Sequence, residues 1–247
     1  MQSNLIKHMT AITSPEPRSI GVLLRGQPEV LGDWIEHSTA KRILFCVAVI
    51  FVGAGLYGGA MGWWRAPQQG LIVALKFPLI ILLTTLGNAL LNGMLAPLLG
   101  LNIGLRQSLL AILMSFTIAS AILGSFSPLT AFVVWNAPPM SDNAQFSART
   151  YNFIQVMHVC IIAFAGTTAN VRLVQLLKQL SGKAAVARRV LFAWLAGNLF
   201  LGSQLCWILR PFIGSPNLDV AFFRPNPLHG NFYETLFNAI RRVLGGD

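Results

Sequence analysis

Carboxylates are missing from every long apolar stretch of this chain. All eight acidic residues, Glu16, Glu29, Asp33, Glu36, Asp142, Asp219, Glu234 and Asp247, lie between or beyond those stretches. Cation transport, proton relays and retinal counter-ion sites usually rest on an intramembrane carboxylate, so all three are disfavoured. Histidine is nearly as scarce: of four, only His158 falls in an apolar run, which excludes a bis-histidine transmembrane haem built by this chain alone. The three cysteines, Cys46, Cys160 and Cys206, are odd in number and scattered, giving neither a disulfide framework nor zinc spacing. His158 and Cys160 are two apart and point to different sides of a helix, so they do not share a metal. Charged residues make up only 11% of the chain, too little polar surface to cover a water-soluble globule. No Gly-x-Ser-x-Gly, Walker-type loop, His-Glu-x-x-His or dinucleotide glycine fingerprint occurs, and a non-enzymatic role is expected.

What the chain has instead is apolar length: 54% hydrophobic residues and a mean hydropathy of +0.62. The twenty residues from Val190 to Leu209 carry no charge, follow Arg188-Arg189 and close on Arg210. Twenty helical residues cover ~30 Å, the hydrocarbon thickness of a bilayer. The expected fold is an all-α, polytopic transmembrane helical bundle of five spans, at about 43–64, 71–95, 108–126, 150–171 and 190–209. In the first, Gly55 and Gly59, like Gly58 and Gly62, lie four apart and leave a face with little bulk, suited to close helix packing. Trp63-Trp64 ends it as an interface belt. In the second, Lys76 is placed to snorkel outward, Pro78 to kink the helix, and Asn88 and Asn92 to share a stripe with Thr84 that must face protein or water. After Phe126, Ser127-Pro128 reads as a break, followed by a re-entrant or interfacial piece through Trp135. Asn198 and Gly202 in the fifth span are expected to meet another helix, since an amide in hydrocarbon needs a partner.

Residues 1–40 show no signal-peptide core and are expected to stay on as a cytoplasmic arm. Within it, Val30, Leu31, Trp34 and Ile35 recur at helical spacing, marking either an amphipathic helix along the headgroups or a lead-in packed on the protein's own loops. The net charge of +10 comes from Lys and Arg at the ends of apolar runs, which indicates lipid headgroups rather than nucleic acid. With the N-terminus inside, nine basic residues (Arg25, Lys41, Arg42, Arg106, Arg172, Lys178, Lys183, Arg188, Arg189) face five outside (Arg65, Lys76, Arg149, Arg210, Arg224). The positive-inside rule therefore favours a cytoplasmic N-terminus and a far-side tail, 211–247, periplasmic if the membrane is a bacterial inner membrane. In that tail Leu218 to Phe223 has the makings of one short strand. Beyond it, Phe232, Tyr233, Leu236, Phe237 and Ile240 line one face of a helix over 231–244, too short to cross and suited to a partner's groove or the membrane surface. Arg210 is expected at the interface, holding carbonyls of the Gly214-Ser215 turn. Arg172, beside Asn170, is placed for a lipid phosphate or as a topology anchor, with Arg188 and Arg189 at the same interface. His158 is a hydrogen-bonded packing residue or a single axial ligand to a shared cofactor; nothing else in the sequence requires a cofactor or metal.

The exit Trp207-x-x-Arg210-Pro211-Phe212-x-Gly214-Ser215-Pro216, with Phe223-Arg224-Pro225 and Gly230-Asn231-Phe232-Tyr233-Glu234 after it, resembles the C-terminal end of uncharacterised bacterial polytopic membrane proteins. That resemblance implies no activity and carries no functional residue across. The five-span layout with a cytoplasmic arm resembles Yip-type membrane proteins of vesicle traffic in topology. The function expected is a non-catalytic membrane subunit or scaffold, docking other membrane subunits or further copies of itself through its glycine faces and C-terminal cap. The alternative is a channel or carrier for an anionic or neutral small solute, served by Lys76, Arg172 and the Asn88/Asn92 stripe.

Overall fold

The structure is a computed structural model and describes residues 18–25, 35, 39–139, 144–214 and 219–234. Among these the fold is all-helical: α1 (Arg18–Arg25), α2 (Ala40–Gly62), α3 (Pro67–Leu98), α4 (Leu105–Asn136), α5 (Ala144–Ser181) and α6 (Ala184–Leu209). Helices α2 to α6 are long and apolar enough to cross a bilayer, which makes the chain a multi-pass membrane protein. Their starts follow local chemistry. The Thr39 hydroxyl accepts the Arg42 N–H at 3.3 Å, Pro67 stands in the first turn of α3 where its missing N–H costs nothing, and the Gln107 side chain reaches back to the Gly104 N–H at 3.1 Å. The α5–α6 turn passes through Gly182 at φ +63, which a side chain rarely adopts.

Helices α3 and α4 are the hub. They touch each other, both hold α2, and α6 leans on α3 while α5 leans on α4 and on α6. Two apolar clusters fill the bundle. One, at the end bearing α1 and the α3–α4 and α5–α6 connections, gathers Leu23, Leu101, Leu176, Leu177, Ala187 and Trp194; the other, at the opposite end, gathers Tyr57, Trp64, Val134, Ile154 and Ile213. At that second end Trp64 Nε1 donates to Pro138 O at 3.0 Å, tying the α2–α3 turn to the chain leaving α4. Large apolar side chains such as Leu44, Phe153, Phe192 and Leu199 point outward, as lipid-facing surfaces require.

Four expectations are corrected. The break at Ser127-Pro128 and the re-entrant piece do not occur: α4 runs unbroken to Asn136. Pro128 deprives the Gly124 carbonyl of its N–H partner, and the Ser127 hydroxyl replaces it at 2.7 Å. Residues 219–223 are irregular and no strand forms there. Lys76 does not snorkel outward but is fully buried under the C-terminal segment. Helix α1 is an element beyond those expected, although Ile20, Leu23 and Leu24 recur at helical spacing and Leu23 is buried near α4. The spans also outrun the apolar windows, α5 most of all. Of the proposed helix around Val30, only Ile35 is described, and it is buried; Val30, Leu31 and Trp34 lie outside the described residues.

Candidate functional site

A polar stripe runs down α3. Gln69, Lys76, Thr84, Asn88 and Asn92 are all buried, at spacings of seven, eight, four and four that return to one helix face. Opposite its lower half stands α6. Asn88 Nδ2 donates to Trp194 O at 3.2 Å and to Asn198 Oδ1, while Asn88 Oδ1 accepts from Asn92 Nδ2 at 2.9 Å. Asn198 thus meets α3. Gly202 leaves room for Thr84, whose side chain would be 3.8 Å from a Cβ placed there, and Gly197 leaves room for the Asn88 amide itself.

Opposite the upper half of the stripe lies the C-terminal clasp, residues 210–214 and 219–224. Gln69 Nε2 donates to Pro211 O and Phe212 O, both at 3.0 Å. Lys76 Nζ reaches Pro211 O at 3.5 Å and Ala221 O at 3.4 Å, and stands 5.1 Å from the centre of the Phe222 ring. Arg210 does not hold the Gly214 turn; its guanidinium lies over Trp207, 2.9 Å from the ring centre, with Arg224 5.2 Å from the same centre. Of the clasp carbonyls, those of Pro211 and Phe212 are held by Gln69, and that of Pro211 also by Lys76; Ser215 of the expected turn lies outside the described residues. Gly214, at φ +90, sits where a Cβ would meet the Arg65 side chain at 2.8 Å. Gln69 is not singled out by the sequence, and Trp207 and Arg224 stand there only in the exit motif and the charge count, without a site role; the Trp207-x-x-Arg210 spacing, one helical turn, is the available signal.

His158 has a hydrogen-bonded partner within the bundle. Its Nδ1 and the Tyr57 hydroxyl are 2.8 Å apart, the rings meet edge-on at 5.4 Å, and both residues are buried. Its Nε2 is buried without a partner. Cys46, Cys160 and Cys206 are free thiols, and no group of three metal-ligating side chains occurs among the described residues.

The glycine faces are used for helix packing inside the chain. A Cβ at Gly58 would meet Val73 O at 2.7 Å, one at Gly62 would meet Gln69 O at 2.7 Å, and Gly55 and Gly59 approach Ala74, all on α3. The α2–α4 contact rests on Gly53, whose Cα a Cβ at Gly124 would meet at 2.9 Å, a pair that four-residue spacing does not flag. Tyr233 also lies on its own chain, its hydroxyl 2.7 Å from Ser203 Oγ and its ring stacked on Phe200; Phe232 meets Tyr233 edge-on. Residues 232–234 are helical, begun by Asn231 Oδ1 accepting the Glu234 N–H at 2.8 Å. Leu236, Phe237 and Ile240 lie outside the described residues. Arg172 Nη1 donates to Gln175 Oε1 at 3.3 Å, and Arg188 and Arg189 are exposed. No family model, curated protein or solved structure matches this chain.

Proposed function

We propose that this multi-pass membrane protein is a non-catalytic subunit or scaffold of a larger membrane assembly. The observation that carries the reading is the use made of intramembrane polar groups: the Asn88 amide joins α3 to α6 and Tyr57 joins α2 to His158 on α5, as expected where polar side chains serve helix joining. Because the glycine faces are occupied within the chain, docking falls to the C-terminal cap and the outward apolar helix faces. The partners are other membrane subunits or further copies of the chain, within a lipid surround, and no cofactor is required. The distribution of basic residues, nine against five, supports a cytoplasmic N-terminus and a far-side C-terminus, periplasmic if the membrane is a bacterial inner membrane. Extraction in mild detergent followed by native electrophoresis tests the reading: the full chain should migrate in a complex larger than the monomer, and deletion of residues 231–247 should shrink it while leaving insertion intact. A lone monomer that conducts solute in liposomes would overturn it.

That last outcome would favour the second reading, a carrier or channel for an anionic or neutral small solute. Its support is the α3 stripe from Gln69 to Asn92, which spans ~35 Å of helix and retains buried acceptors without partners, Gln69 Oε1, Thr84 Oγ1 and Asn92 Oδ1.

A further inference from the structure

Three cations gather where the clasp closes over the start of α3, and none has a counter-ion among the described residues. Lys76 is 0% exposed. Its ammonium carries three donors and meets only neutral groups, the carbonyls of Pro211 and Ala221 at 3.5 and 3.4 Å and the Phe222 ring. Charge-assisted hydrogen bonds are normally about 2.7–2.9 Å long, so both contacts are slack. Arg210 and Arg224 face one aromatic ring, that of Trp207. Arg210 Nη1, Arg224 Nε and Trp207 Nε1 are buried and unbonded, which adds three orphaned donors. The nearest described carboxylates in sequence, Asp219 and Glu234, are exposed and pair with none of these cations.

Chain connectivity fixes the cluster. Arg210 precedes Pro211, whose carbonyl faces Lys76, and Arg224 follows two residues after Phe222, whose ring faces the same ammonium. A buried ammonium left with dipoles alone is costly in a low-dielectric setting, and a group bringing negative charge and several acceptors removes that cost. Guanidinium forks match the oxygens of phosphate, and a neighbouring lysine adds a point charge. Lys76 also lies nine residues, ~14 Å, into a helix that at ~48 Å exceeds the hydrocarbon thickness by ~18 Å, which brings it near headgroup depth.

We propose that Lys76, Arg210 and Arg224 form a binding site for a phosphate-bearing anion, bordered by the Trp207 and Phe222 rings. The site holds whether the chain works as a subunit or as a carrier. Two sources supply that chemistry, a phospholipid headgroup and free phosphate, and two measurements separate them. In the first, full-length protein is taken from vesicles of phosphatidylcholine mixed with phosphatidylglycerol and retained lipid is counted by native mass spectrometry. In the second, inorganic phosphate is titrated calorimetrically into protein held in phosphatidylcholine nanodiscs. Selective retention of phosphatidylglycerol without phosphate binding identifies a headgroup site; phosphate binding without lipid selectivity identifies a free-anion site. In either case Lys76→Gln and Arg224→Gln should each weaken binding at least about tenfold, the loss expected for one charge-assisted contact. Lys183→Gln, an exposed cation at the opposite end, should change nothing. Arg224→Gln decides the matter if Lys76→Gln fails to fold, because that guanidinium touches only one ring. Wild-type protein that neither selects phosphatidylglycerol nor binds phosphate, or an Arg224→Gln variant that binds as well as wild type, overturns the proposal.

Discussion

The Asn88 side chain makes three hydrogen bonds in the membrane interior of this bundle, and its amide allows a quantitative test. Truncation to Ala removes the donation to Trp194 O, the donation to Asn198 Oδ1 and the acceptance from Asn92. The Trp194 carbonyl keeps its partner within α6, so little is lost there. The Asn198 and Asn92 amides are left without the group they faced. Interhelical polar contacts in membranes average ~0.6 kcal/mol and reach ~1.7, so two contacts between α3 and α6 place Asn88→Ala at about 1–2 kcal/mol. Asn198→Ala, which loses one, should cost about 1 kcal/mol. Because the two amides touch, the double variant should fall short of the sum by about 0.6–1.7 kcal/mol. Reversible unfolding in mixed dodecyl maltoside and dodecyl sulfate micelles, followed by circular dichroism, gives all four corners of the cycle, and cavity terms largely cancel in the difference. Costs that add within about 0.3 kcal/mol would mean that the amides do not couple, and the α3–α6 contact would then rest on shape alone.

The same unfolding measurement checks two further expectations. Gly53→Ala should destabilise by about 1–3 kcal/mol because the new methyl meets the Ser120 backbone of α4, whereas Gly166→Ala, with nothing within 4 Å, should be neutral or stabilising by up to about 1 kcal/mol from helix propensity; equal effects at the two positions would refute the packing account. Ser127→Ala should cost about 1 kcal/mol in the wild type and close to nothing in a Pro128→Ala background, where a backbone N–H returns to the Gly124 carbonyl; an undiminished cost in that background would show that the hydroxyl serves some other purpose.

Apolar runs bounded by Lys and Arg made the five spans legible, because hydropathy acts locally and needs no knowledge of neighbours. Helix ends were less so. Helix α5 continues beyond Val171 through Lys178 because polar residues such as Gln175 are good helix formers once a helix exists, a property that hydropathy does not register. Pro128 was read as a break because the remedy, a serine hydroxyl one residue earlier, depends on a side-chain torsion. Asn88, Asn92 and Asn198 stood out because an amide in hydrocarbon demands a partner, although which helix supplied it was not visible. The clasp was the least legible part. Lys76 and Pro211 are joined across 135 residues, and no local pattern at Lys76 distinguishes a snorkelling lysine from one sealed beneath a later segment. Gly53 and Gly124 escaped notice for the same reason: their spacing matters only once α2 and α4 are side by side.

The unequal lengths of the helices have a consequence for where the protein sits. Helix α2 has 23 residues, ~35 Å, while α3 and α4 have 32 each, ~48 Å, and α5 has 38, ~57 Å. A hydrocarbon layer of ~30 Å leaves α2 almost no slack, whereas α5 protrudes even at a tilt of ~40°. Exposed Lys41 at one end of α2 and exposed Trp63 just past the other end are the anchors that resist vertical displacement, while Arg42 and Trp64, expected beside them, are buried in the bundle. Glycine contacts lock α2 to α3 and α4, so the shortest helix sets the depth of the whole bundle and the longer ones stand out from the lipid by fixed amounts. When bilayer thickness changes, the mismatch falls first on α2, and the relief that the long helices present on either surface shifts with it.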